Sequence, residues 1–140
     1  MELYNTLDAI ADSINPGLAF FALVQLLYMT IKREWYVARV YLSRLLALTT
    51  VIYGWMIIDR LVFDFPYSTH SAFAICFCIL HTFYMPRFKL VWIGTLIAYL
   101  ALIVFQGYHS LLDIAVTLLL VVPFIVMIFK LPRRIETVTE

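Results

Sequence analysis

Between Pro16 and Lys130 the chain is a series of five apolar runs, each closed by charged or turn-forming residues. This alternation leaves few folds open. The runs cover residues 16–31, 38–63, 68–84, 88–106 and 110–130. A helix needs about 20 apolar residues to cross the hydrocarbon core of a bilayer. Lipid offers backbone groups no partner, so only helices or closed barrels span it. Soluble domains are about half apolar, whereas 64% of these 140 residues are hydrophobic. The expected fold is an all-α integral membrane protein, one transmembrane domain over 1–140 built as a bundle of five helices. Several runs are shorter than the bilayer core requires, so their helices are expected to extend into the flanking polar residues.

Ahead of the first run, Leu3, Leu7, Ile10 and Ile14 recur at spacings of three and four. That period predicts a short amphipathic helix over 1–14, lying in the headgroup region or capping the bundle. Glu2, Asp8 and Asp12 stand there without any Lys or Arg, unlike a cleaved secretory signal. Asn15-Pro16 reads as the start of the first span, with Asn as N-cap and Pro at the first helical position.

Charge placement sets the expected orientation. Lys32, Arg33, Arg39 and Arg44 lie between or near the ends of runs one and two. Arg87 and Lys89 separate runs three and four, and Lys130, Arg133 and Arg134 follow run five. With five spans, these nine of the ten cations share one side, which the positive-inside rule makes cytoplasmic, together with the tail 131–140. A bacterial inner membrane suits this size and orientation. Arg60, between Asp59 and Asp64, is the cation left on the outer side, either ion-paired or an anion ligand. No basic cluster has the form of a nucleic-acid surface. Cys76 and Cys78 point ~200° apart on a helix and read as small packing residues. Trp35, Tyr36 and Trp92 fit interfacial anchoring, and His81 reads as a hydrogen-bonded core residue.

Two segments on the outer side carry the remaining histidines. Phe65-Pro66-Tyr67-Ser68-Thr69-His70-Ser71 opens run three, and Gly107-Tyr108-His109-Ser110-Leu111-Leu112-Asp113 opens run five. His109 and Asp113, four apart at a helix start, share a face. A carboxylate there can hold one ring nitrogen and leave the other nucleophilic. Ser68-Thr69-His70 offers hydroxyls, an imidazole and the free N–H groups of a helix N-terminus, which favour anions.

In these two segments the chain resembles the type 2 phosphatidic acid phosphatase superfamily. Its members open one span with Ser-Gly-His or Ser-Thr-His and follow roughly two spans later with His-x-x-x-Asp. The layout is also similar to sphingomyelin-synthase-like phosphotransferases, whose second block runs His-Tyr-Thr-x-Asp. The resemblance extends from the second half of run two through run five. It implies a metal-independent lipid phosphatase or phosphotransferase without a cofactor, acting on a phospholipid or isoprenoid phosphate. His109 would form a phosphohistidine, oriented by Asp113, and His70 would protonate the leaving alkoxide. Ser68, Thr69 and neighbouring N–H groups, with Arg60, would hold the phosphoryl oxygens.

The chain departs from the family at its cations. Leu102 and Ile103 occupy the place of a Ser-Arg pair seven residues before the nucleophile. If Arg60 is the arginine of a Lys-x6-Arg-Pro motif, Tyr53 replaces its lysine and Leu61 its proline. Two other readings therefore stand beside catalysis. One is a silent relative that binds a lipid or a partner protein. The other is a metal site made by His70, His109 and Asp113, two imidazoles and a carboxylate.

Overall fold

The computed structural model of the chain describes residues 2–130. Five α-helices make up the fold: α1 (Glu2–Ile31), α2 (Trp35–Ile58), α3 (Thr69–Tyr84), α4 (Lys89–Phe105) and α5 (Leu111–Lys130). No strand occurs among the described residues. α1 and α5 are long and apolar enough to cross a membrane, and so are α2 with the turn that extends it to Phe63 and α4 with the turn that precedes it from Pro86. The chain is an all-α membrane bundle.

α3 has 16 residues, ~24 Å of helix. It is short because it is the axis of the bundle rather than part of its rim. All four other helices pack on it. Ser71, Ala72, Ala74, Cys76 and Cys78 are all buried, and their small side chains let the surrounding helices approach closely. α1 lies against α2 and α4, and α2 against α5, while α4 and α5 pack on α3 rather than extensively on each other. Large apolar side chains of the outer helices, such as Phe20, Leu27, Leu90 and Leu119, point outward. That is the pattern expected where lipid is the solvent.

Tight caps close the helices without long loops. α1 ends with Arg33 left-handed at φ 60°, Arg33 N–H donating to the Thr30 carbonyl and Glu34 N–H to that of Met29. α4 ends in the same double bond pattern around Gly107 at φ 75°, where glycine costs nothing. α2 runs into a π-helical turn, Asp59–Phe63, closed by Asp64 N–H on the Asp59 carbonyl.

Two sequence expectations fail in the fold. Asn15-Pro16 does not begin a helix. α1 runs unbroken through Pro16, so residues 2–14 are not a separate amphipathic helix but the first turns of the span. Pro16 has no N–H for the Asp12 carbonyl, a loss that helices in lipid tolerate when neighbours supply polar partners. Asn15 takes such partners across the bundle instead of capping its own helix: Nδ2–H donates to Tyr99 Oη on α4 at 3.1 Å and to the His70 carbonyl on α3 at 3.3 Å. Trp92 also differs from expectation. Its ring lies inside the bundle, 4.7 Å from that of His81 and 5.0 Å from that of Phe21. Trp35 and Tyr36 are exposed, as interfacial anchors are.

Candidate functional site

Contacts between helix ends define two poles. At one, the first half of α1 meets the start of α3, the second half of α4 and the α4–α5 connection. At the other, the first half of α2 meets the ends of α3 and α5. The histidine segments share the first pole.

Ser68 is the N-cap of α3. Its Oγ accepts from Ser71 N–H at 3.1 Å and donates to Ser71 Oγ at 2.8 Å, while its own N–H donates to Thr117 Oγ1 at 2.9 Å. The side chain is fully buried. Ser68 is thus committed to holding α3 against α5 and does not face the cleft as the expected phosphate ligand. Tyr67 fixes the preceding connection, its buried phenol donating to the Ile52 carbonyl at 2.9 Å. Burial pushes that phenol above its ordinary range, so it remains a neutral donor.

These anchors put Thr69 and His70 at the first two positions of α3, with His70 exposed. Their N–H groups precede any intrahelical acceptor. Asn15 Nδ2 lies 3.5 Å from His70 Nδ1, at the outer limit of a hydrogen bond.

His109 sits in the short α4–α5 connection behind left-handed Gly107. Its Nδ1 is 3.4 Å from Asp113 Oδ2. The Asp113 carboxylate also accepts Ser110 N–H and Oγ–H, each at 2.8 Å, and Asp113 N–H returns to Ser110 Oγ at 3.2 Å. This is a capping box with Asp in the acidic position. Asp113 therefore caps α5 and also faces His109; the longer contact is electrostatic steering rather than a short hydrogen bond.

His70 and His109 face one another with ring centroids 6.3 Å apart and planes at 43°. They border a cleft of about 120 Å³ that is also lined by Ala11, Asp12, Tyr99 and Tyr108. A second hollow of about 320 Å³ adjoins it through Asp12 and His70, and reaches Asn15, Tyr53 and Thr69. Tyr108 Oη donates to Asp8 and so ties the first turns of α1 over the cleft.

The cleft brings together His70, His109 and, behind it, Asp113; Thr69 stands at its edge. Arg60 is absent from it. That residue is exposed on the π-helical turn, forms no ion pair with Asp59 or Asp64 and lines neither hollow. Among the described residues no Lys or Arg lines either hollow, whereas Asp12 lines both. The metal reading also finds no support: no group of three His, Cys, Asp or Glu side chains converges with ligand geometry among the described residues. Asp12, Asn15 and Tyr99 join the site, a role that the sequence did not assign to any of them. Asn15 was legible as a polar residue beside a proline, but that pair also spells a helix start. Comparison with protein-family models, with curated proteins and with solved structures finds no match.

Proposed function

We propose that the cleft carries out phosphoryl transfer on a lipid-borne phosphate, a phospholipid or isoprenoid phosphate. The observation that carries this reading is the pair of imidazoles across one cleft, one of them held by a carboxylate. His109 Nε2 attacks phosphorus as Asp113 holds Nδ1 and stabilises the positive ring that results. The P–O bond to the leaving alkoxide breaks, and the proton on His70 Nε2 passes to that oxygen. Water or an alcohol then attacks the phosphohistidine, His70 takes its proton, and the P–N bond breaks to restore His109. The Thr69 and His70 N–H groups and the α3 dipole stabilise the equatorial oxygens, where the family would use cations. Water as acceptor makes the protein a hydrolase; a lipid alcohol makes it a phosphotransferase. The charge asymmetry supports a location in a bacterial inner membrane with the cleft on the outer face.

The test is incubation of the purified protein with a panel of phospholipids and isoprenoid phosphates, with chelator present. Released phosphate and new phospholipid are both measured, with His109→Ala as control. The proposal expects product that is lost in the variant; product unchanged in the variant contradicts it. One observation favours the silent, lipid-binding relative: among the described residues the hollows are lined by Asp12 and by no Lys or Arg. Absence of product from every substrate, with retained lipid binding, selects that second reading.

A further inference from the structure

At the pole opposite the histidine segments, Arg44 is a buried cation that has no counter-ion among the described residues. It lies on α2 with only 7% of its surface exposed. Its Nη1 donates to Tyr84 Oη at 2.8 Å. Aromatic rings surround the guanidinium, whose central carbon stands 4.7 Å from the centroid of Phe83, 5.0 Å from Phe129 and 5.5 Å from Tyr84. Nε is shielded and has no hydrogen-bond partner. Among the described residues no carboxylate lies within ion-pair distance of it.

Guanidinium is always charged, and removing an unpaired charge from water is costly. Three aromatic faces and one phenol offset part of that cost. A neutral phenol cannot cancel the charge. Phe83, Tyr84 and Phe129 are among the last described residues of α3 and α5, so the guanidinium lies toward the basic end of the bundle. In a membrane-spanning bundle that end faces one headgroup layer, where the phosphate groups of lipids lie. Lys130 follows Phe129 directly, and Lys32, Arg33, Arg87 and Lys89 lie at the same end of the helices, which favours lipids of net negative charge.

We propose that Arg44 and its aromatic collar bind the phosphodiester of an anionic phospholipid in the leaflet opposite the histidine cleft. The edge of the guanidinium formed by Nη1 and Nη2 donates to phosphate oxygens, and the rings hold the group in place. This site is separate from the cleft and stands whether or not the cleft is catalytic.

Native mass spectrometry of the full chain in detergent tests it, with phosphatidylglycerol, phosphatidylcholine and inorganic phosphate added in separate titrations. The parent should retain phosphatidylglycerol at concentrations about tenfold lower than phosphatidylcholine, one charged pair's worth of discrimination, and retain no inorganic phosphate. Arg44→Met should lose that preference. If Arg44→Met does not fold, Tyr84→Phe serves, because it keeps the charge and removes the hydroxyl that positions it. Tyr84→Phe should reduce the preference by roughly threefold. An unchanged preference in a folded variant overturns the proposal. Equal retention of the two lipids by the parent, or saturable binding of inorganic phosphate in their place, overturns it as well.

Discussion

Ser68 and Ser110 both cap a helix, yet Ser68 is buried and Ser110 exposed. The Ser68 hydroxyl is buried and shared with Ser71, so its loss should register in stability. Ser68→Ala is expected to cost about 1–2 kcal/mol, read as a lower midpoint in detergent thermal melts, with little effect on KM. A raised KM at unchanged stability would return Ser68 to the phosphate. Asp113 is bonded twice to Ser110 and only loosely to His109. Asp113→Asn should therefore lower turnover by less than His109→Ala, which should remove it; the comparison is one of kcat between the two variants. Arg60 lines neither hollow, so Arg60→Ala should leave KM within about twofold, whereas loss of a charged hydrogen bond to substrate would raise it tenfold or more. His70, His109 and Asp113 were legible because the chain has three histidines, two of which open an apolar run, and one of these has a carboxylate four residues on. The fate of Ser68 was not, because a capping serine and a phosphate-binding serine occupy the same place in a sequence.

At the level of elements, the five runs were legible from hydropathy and the α3 axis was not. Residues 68–84 read like any other span, and only packing reveals why 16 residues suffice there. Asn15-Pro16 misled for a related reason: the pair is a local signal, and partners on α3 and α4 override it. A continuous α1 that reaches the α4–α5 connection makes a definite prediction. With Cys76 and Cys78 replaced, cysteines at positions 8 and 108 should be joined in high yield by a short bifunctional thiol reagent. A first segment lying apart in the headgroups would give no intramolecular product.

For the whole molecule, the polarity of the bundle joins its two candidate sites. The basic pole carries Arg44 in its aromatic collar, and the opposite pole carries the histidine cleft under the acidic first turns of α1. The positive-inside rule then expects a cysteine at position 70 to react with an impermeant thiol reagent from the outer side of intact cells or spheroplasts. Cys76 and Cys78 are buried and add little background. Labelling that needs access to the cytoplasm would invert the orientation and with it the origin of the substrate.

The central claim is that His109 takes the phosphoryl group. Its most direct test is to quench the protein during turnover of a phosphorus-labelled lipid phosphate and examine the chain itself. The account predicts label on the protein that is stable in base and labile in acid, absent from His109→Ala, and accumulated in His109-containing protein when the acceptor is withheld. Turnover without any such labelled intermediate, or label that persists in His109→Ala, would contradict it.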